Sequence, residues 1–147
     1  MIKKEQDAIT VEKNGVTMKI YSSHDDCEQA AVVYQETDTG HLEEFYHLTC
    51  AFIYYIIDGS GIFYIEGEPF EVKKNDVVIV PPGQKFYYEG RLKQVCMTAP
   101  AWEPQGEKHV RFIEPSSTSG VKKNGDKIKP AINYQSEEYY EYHGSHT

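Results

Sequence analysis

The sequence predicts an all-β domain, and three observations support that prediction. Aromatic residues make up 13% of the 147 residues, and 12 of them are tyrosines, which favour strands and half-buried surfaces. Short apolar runs separated by turn-forming residues recur at intervals of roughly ten residues through the centre of the chain. The apolar residues show no convincing helical period of about 3.6 residues, except over Glu107–Ile113, which could equally be a final strand.

The N-terminal segment predicts a β-hairpin. Ala8–Lys13 and Val16–Tyr21 flank the dipeptide Asn14-Gly15, which is the strongest short-range signal for a tight hairpin turn. After a polar stretch, a further apolar run over Gln29–Glu36 ends at Thr37–Gly40, which is predicted to be a turn.

The central region predicts six short antiparallel strands. The tetrapeptide Asp58-Gly59-Ser60-Gly61 is predicted to be a hairpin turn, because glycine tolerates left-handed backbone geometry. Gly90 is predicted to end another strand. Regularly spaced short strands are typical of a β-sandwich or barrel. The predicted strands are Ala51–Ile57, Ile62–Glu66, Pro69–Lys73, Asp76–Val80, Lys85–Glu89 and Leu92–Thr98.

The composition changes at Pro115, which suggests a domain over residues 1–114 followed by a C-terminal tail over residues 115–147. Ser, Thr, Gly and Lys dominate the first half of this tail. We therefore predict that the tail is flexible or draped over the surface. Its tyrosines leave open a packing role against a neighbouring subunit.

Charge and cysteine content exclude several classes of partner. The net charge of −8 argues against a nucleic-acid partner, because phosphate binding needs a basic face. No window approaches the roughly 18 apolar residues of a membrane span, and the N-terminus has no apolar secretory segment. The three cysteines form no CxxC pair and are predicted to be buried or idle. We therefore expect a cytoplasmic protein with no nucleic-acid or membrane partner.

Two segments resemble the conserved motifs of the cupin superfamily. Ile53–Gly61 is similar to the strand and turn of the first motif, and Asn75–Gly83 is similar to the apolar run and PxG of the second. Pro81 and Pro82 lack amide donors, so they must lie at a strand end or corner. The resemblance implies a cupin-type double-stranded β-helix, that is, a jelly-roll barrel, with a binding site inside it.

The metal ligands of that family are replaced here. Cupins hold a metal with two histidines and a glutamate from the first motif and one histidine from the second. Phe52 stands at the glutamate position, and Phe86 stands at the second-motif histidine. Phenylalanine has no lone pair to donate to a metal.

The position of the histidine pair depends on one residue of register. Counted from Gly40 with the short spacer, the pair falls on Tyr46 and Leu48. Counted with the longer spacer, it falls on Phe45 and His47. A displaced site that combines His47 with His41, Glu43 and Glu44 is disfavoured, because residues on one segment rarely converge without a partner strand. We therefore expect neither a metal nor another cofactor.

The aromatic substitutions leave two interpretations of the barrel interior. In one, the rings fill the space that metal and water occupy in relatives. In the other, they form a stacking pocket of about 300 Å³ or more for a flat or sugar-like ligand. The candidate ligand-binding residues are Tyr46, His47, Phe52, Tyr54, Phe86 and Tyr88.

Three functional hypotheses follow. We favour a metal-free barrel that binds a small carbohydrate-like or aromatic molecule. The first alternative is a cofactor-independent sugar isomerase or epimerase, with His47, Tyr54 or Tyr88 as the base. The second is a non-catalytic structural or regulatory barrel that acts as a homodimer, the assembly we expect for this chain. Trp102 is expected to plug the barrel or contact a partner subunit, with gating of a pocket as the alternative.

Overall fold

The computed structural model describes residues 1–114 and consists almost entirely of β-strands, so the all-β prediction is confirmed. The predicted tail, residues 115–147, lies outside the described residues. Within the described part, no helix is long and apolar enough to cross a membrane. Two short 3-10 turns lie at Glu5–Asp7 and Pro104–Gly106. The strands are β1 Ile9–Lys13, β2 Val16–Ile20, β3 Ala31–Thr37, β4 Gly40–His47, β5 Ala51–Ile65, β6 Glu68–Lys73, β7 Val77–Val80, β8 Phe86–Ala99 and β9 Glu107–Phe112.

The predicted N-terminal hairpin is confirmed. Strands β1 and β2 pair antiparallel from Lys13 and Val16 outwards. The two turn residues between them, Asn14 and Gly15, both have positive φ angles, of 49° and 95°. This is the geometry of a tight two-residue turn that matches the twist of the flanking strands.

The central region contains fewer and longer strands than predicted. Asp58–Gly61 is not a turn but part of the continuous strand β5, and Gly90 lies inside β8 instead of ending a strand. The two strands are antiparallel neighbours that approach so closely here that a Cβ on Gly59 would clash with the Arg91 carbonyl oxygen. A Cβ on Gly90 would lie 2.5 Å from the Ser60 carbonyl oxygen. These glycines permit close backbone approach beside a bulge, which a turn prediction from composition cannot distinguish.

Strand β8 is the central strand of the curled sheet, with paired strands on both of its edges. It pairs with β5 along its whole length, while its other edge pairs with β4 near Phe86 and with β3 near Cys96. The edge of β5 that faces away from β8 pairs with β7 and then with β6. The segment that could have been helical, Glu107–Ile113, forms β9 and pairs with β4. The sheet therefore curls around a single interior.

The interior is packed with aromatic rings. The ring centroids of Phe63 and Tyr88 are 4.6 Å apart, and those of Tyr54 and Phe63 are 5.1 Å apart. Aromatic pairs at such distances contribute packing energy beyond the apolar area they bury. The buried core includes Phe45, Phe52, Tyr54, Phe63, Phe86 and Tyr88.

Candidate functional site

Three phenylalanines meet at the positions to which the cupin resemblance assigns metal ligands. The centroids of Phe45 and Phe86 are 4.8 Å apart, and those of Phe52 and Phe86 are 5.3 Å apart. None of the three offers a lone pair, so these residues do not fit a metal ion. Across residues 1–114, no group of three His, Cys, Asp or Glu residues is arranged to hold one.

Strand β4 follows the longer of the two spacer registers. Phe45 and His47 are buried, with Phe45 packed in the aromatic cluster. Tyr46 lies between them, is partly buried, pairs with Lys108 of β9 and does not line the barrel cavity. Side chains alternate along a strand, so Tyr46 and Phe45 face opposite sides of the sheet.

His47 is a structural tether. Its Nδ1 accepts hydrogen bonds from the backbone N–H groups of Cys50 and Thr49, at 3.1 and 3.2 Å. Its Nε2 therefore carries the hydrogen and donates it to the Glu103 carbonyl oxygen, at 2.9 Å. Gly106 lies directly against the imidazole, where any Cβ would clash. His47 thus joins the end of β4 to the segment that leads into β9, and it does not line the cavity.

A small cavity of about 50 Å³ remains among the packed rings. It has room for a few water molecules and is well below the roughly 300 Å³ at which ligand sites begin. The aromatic side chains fill most of the barrel interior. A ligand of nucleoside or sugar size therefore requires the cavity to enlarge. Polar residues line part of this cavity, and we call them the polar wall. They include Lys13, Gln35, His41, Tyr54, Tyr88 and Glu107.

His41 presents a neutral imidazole to this cavity. Its Nδ1–H donates to the Glu43 carbonyl oxygen at 2.9 Å, which leaves the lone pair on Nε2. The ring packs against Phe45 and Tyr88, with centroid distances of 5.0 and 5.8 Å. Burial lowers the pKa of His41, and the nearby Glu43 carboxylate opposes that shift. A neutral imidazole with a free nitrogen is suited to accept a proton.

Two buried tyrosines stand beside His41. The rings of Tyr54 and Tyr88 meet edge to face, with centroids 5.7 Å apart. Burial raises the pKa of both hydroxyls well above the ordinary value, so both remain protonated. Tyr88 donates to the Gln35 side-chain oxygen at 2.9 Å, and Tyr54 hydrogen-bonds the Cys96 thiol. These groups are suited to hydrogen bonding and not to acting as phenolate bases.

A buried ion pair completes the polar wall. Lys13 Nζ lies 2.7 Å from Glu107 Oε2, and each side chain is only 3% exposed. The other carboxylate oxygen of Glu107 accepts a hydrogen bond from Trp102 Nε1, also at 2.7 Å. The cavity therefore contains a fixed positive charge and a fixed negative charge side by side.

The six sequence-predicted residues separate into three groups. Phe52, Tyr54 and Tyr88 line the cavity, while Phe86 packs against Phe52 without lining it. Tyr46 and His47 lie elsewhere, as described above.

Sequence reasoning missed three residues of the polar wall or misjudged their role. His41 entered only as a member of the disfavoured metal site, and its donor Nδ1 is in fact bound to a backbone carbonyl. Lys13 and Glu107 were not considered as site residues, because they lie 94 residues apart and no local pattern joins them. The available signal was weak: a lysine in an alternating strand next to the Asn14-Gly15 turn.

Comparisons with known proteins agree on the fold. Residues 36–91 match the AraC-like ligand binding domain family. An uncharacterized protein of Methanocaldococcus jannaschii is 37% identical over 72 residues, which span 46% of this chain and 55% of that protein. The structure of KdgF from Halomonas sp. is 14% identical, with a TM-score of 0.61 over 71% of this chain and 97% of that one, and supports the fold alone.

The structure of Pac13, described as a unique nucleoside dehydratase, is similar over nearly its whole length. It is 30% identical, with a TM-score of 0.74, and the match covers 81% of this chain and 96% of Pac13. Structures of the Streptomyces protein with single histidine-to-glutamine or tyrosine-to-phenylalanine substitutions contain uridine. Fold, identity and coverage together show that this chain belongs to the cupin superfamily, as a relative of Pac13.

Proposed function

We propose that this chain is a metal-free enzyme that binds a nucleoside-like molecule in the barrel and eliminates water from it. One observation carries the proposal. His41, Tyr54 and Tyr88 follow one another in the same order and at the same spacing as the histidine and two tyrosines substituted in the uridine-containing Pac13 variants. In the present chain, all three side chains line one cavity.

The chemistry of the cavity suits an elimination. Loss of water breaks a C–H and a C–O bond and forms a C=C bond, so it needs a base for the proton and a donor for the departing hydroxyl. Nε2 of His41 would take the proton from carbon and then deliver it to the departing hydroxyl, which leaves as water. The neutral hydroxyls of Tyr54 and Tyr88 would donate hydrogen bonds to developing negative charge, as would the ammonium group of Lys13.

Binding is tested first, with uridine as the probe. Because the cavity of about 50 Å³ holds only a few waters and Trp102 lines it, we expect binding to move this single tryptophan and change its fluorescence. Calorimetric titration should give saturable binding with one site per chain. Absence of binding at millimolar uridine would count against a nucleoside-like ligand.

Turnover is tested with nucleosides oxidised to a carbonyl at one sugar carbon, because a neighbouring carbonyl acidifies the C–H bond to be broken. Loss of water is followed by mass spectrometry. His41→Gln should abolish turnover while uridine binding persists, and Tyr54→Phe should reduce turnover. The matched control is Tyr55→Phe, since the neighbouring Tyr55 is 46% exposed and bonds to Asn75 outside the cavity.

The metal-free character is tested separately. Elemental analysis of protein purified without chelators should find no stoichiometric Fe, Mn, Zn or Ni. Chelator treatment should leave turnover unchanged. One metal ion per chain that is required for activity would overturn this part of the proposal.

A second candidate is a binding barrel without catalysis. The match to a ligand-binding domain family over residues 36–91 favours it. It predicts saturable uridine binding with no loss of water from any oxidised nucleoside, and no effect of His41→Gln beyond binding.

The remaining predictions concern assembly and location. Exposed apolar side chains cover the outer face of strands β3, β8, β5 and β7, and this surface supports the proposed homodimer. Light scattering of the full chain tests that proposal, and a monomer at micromolar concentration would contradict it. The cytoplasmic location stays a prediction. The exposed residues of this face are Val32, Tyr55, Val77, Ile79 and Met97.

A further inference from the structure

Strand β4 departs from regular alternation where it carries His41. Every residue from Gly40 to Phe45 is buried, whereas a regular strand on a sheet would bury every second one. Its register against β8 shifts between His41 and Phe45, and its register against β9 shifts between Glu44 and Phe45. The segment is therefore a bulge, and bulges redirect side chains.

Glu43 lies in the middle of this bulge, and its carboxylate is held from two sides. Oε1 accepts a hydrogen bond from Asn14 Nδ2 at 2.8 Å, and Oε2 accepts one from His109 Nδ1 at 2.7 Å. The Glu43 side chain is only 3% exposed, and it does not line the cavity. Its backbone carbonyl is the acceptor for the Nδ1–H of His41.

The two partners of Glu43 also connect it to the buried ion pair. Asn14 directly follows Lys13 in the β1–β2 turn, and His109 lies two residues after Glu107 in β9. The Glu43 carboxylate thus joins the three chain segments that supply Lys13, His41 and Glu107 to the cavity. We call Asn14, Glu43 and His109 the clamp.

We infer that Glu43 is a positioning residue for His41: the clamp fixes the bulge so that the Glu43 carbonyl holds Nδ1–H and leaves Nε2 as the proton acceptor. Without the clamp the carbonyl is free to move, and the imidazole can adopt the other tautomer, in which Nε2 carries the hydrogen and cannot accept a proton. The inference rests on the proposed role of His41 as base.

The test reads the tautomer directly. Long-range ¹H–¹⁵N spectra of the full chain, labelled at the histidine ring nitrogens, identify which nitrogen of His41 is protonated at neutral pH. The wild type should show the Nδ1–H form. Glu43→Ala should show a mixture with the Nε2–H form. Glu43→Gln should retain the wild-type signal, because its amide can still bond Asn14 and His109.

The matched control is Glu44→Ala. Glu44 is the next residue of the same bulge, is also buried, and accepts a hydrogen bond of 2.7 Å from Arg111, whereas the Nδ1–H of His41 bonds to the Glu43 carbonyl. It should keep the Nδ1–H form. A folded Glu43→Ala protein that also keeps the pure Nδ1–H form overturns the inference.

A second variant covers the case in which Glu43→Ala does not fold. His109 is 43% exposed at its side chain, so His109→Ala should fold while removing one arm of the clamp. It should lose part of the Nδ1–H population, and no loss overturns the inference.

Kinetics separate this inference from the proposed function. If both hold, Glu43→Ala lowers kcat by about 100-fold with little change in KM, as misplacement of a reacting group does. If His41→Gln leaves turnover unchanged, the proposed base fails, while the tautomer result still reports on the clamp.

Discussion

The buried Lys13–Glu107 pair should be more sensitive to loss of one partner than to loss of both. Lys13→Met removes the ammonium group 2.7 Å from the Glu107 carboxylate, whose side chain is only 3% exposed. Breaking a buried ion pair in this way costs about 3–5 kcal/mol, a large share of the roughly 5–15 kcal/mol that stabilises a typical domain. In Lys13→Met/Glu107→Leu no charge is left stranded, so much of the loss should be recovered.

Urea denaturation followed by Trp102 fluorescence measures this effect, because the indole donates directly to Glu107. With a typical denaturant slope of about 1–3 kcal/mol per molar urea, Lys13→Met should lower the midpoint by more than about 1 M. The control is Lys19→Met, which removes a pair with Glu5 of the same 2.7 Å length at 35% and 74% exposure. Its midpoint should not move measurably. A Lys13→Met protein as stable as that control, or a double variant equal to the sum of its singles, would refute the reasoning.

Three further predictions concern stability and reactivity. Burial lowers the pKa of His41 below about 6.5, so the unfolded chain binds the proton first as the pH falls. Stability should therefore decrease as the pH drops through that value. His41→Gln should make the urea midpoint change less between about pH 7.5 and 5. Gly59→Ala should prevent folding, because the added Cβ would clash with the backbone of β8. Gly67→Ala, at a similar φ of 83° in open space, should lower the free energy of unfolding by only about 1–2 kcal/mol. Equal losses of stability would contradict the close approach of β5 and β8 at Gly59. A thiol reagent at pH 7 should label only the exposed Cys27 in native protein and three cysteines after denaturation. The reason is that burial raises the thiol pKa to about 11 in Cys50 and to about 12 in Cys96. Rapid labelling of either buried thiol in native protein would contradict this.

Sequence patterns predicted those parts of the fold that local chemistry determines. The Asn14-Gly15 turn could be predicted because few residues adopt two successive positive φ angles. Motif spacing predicted that Phe52 and Phe86 meet in the interior, where their ring centroids lie 5.3 Å apart. Sequence patterns could not predict that Ala51–Ile65 forms one continuous strand through Gly59. A glycine needed for a turn and a glycine needed for close approach of two paired strands look alike in sequence.

The histidine register shows how a bulge defeats counting. Both candidate spacers were measured from Gly40, and the segment between Gly40 and Phe45 contains the β4 register shift. Residues added at a bulge change which side chains face inward, so spacing alone leaves the choice between Tyr46 and Phe45 open. Sequence patterns could not predict the polar wall either, because Lys13, His41 and Glu107 lie far apart in the chain. They come from the β1–β2 hairpin, the β4 bulge and strand β9.

The long ladder between β5 and β8, whose register shifts only between Ile56 and Asp58, has a consequence for how the cavity opens. Strands paired with neighbours along most of their length are the last to separate in local unfolding, so we expect the amides of Tyr54 and Tyr88 to exchange slowly. Among the described strands, β1 pairs with β2 alone and therefore lies at an edge of the sheet. We therefore expect amide exchange at β1 to respond most to uridine, and the entrance to lie on the side of the hairpin and Trp102.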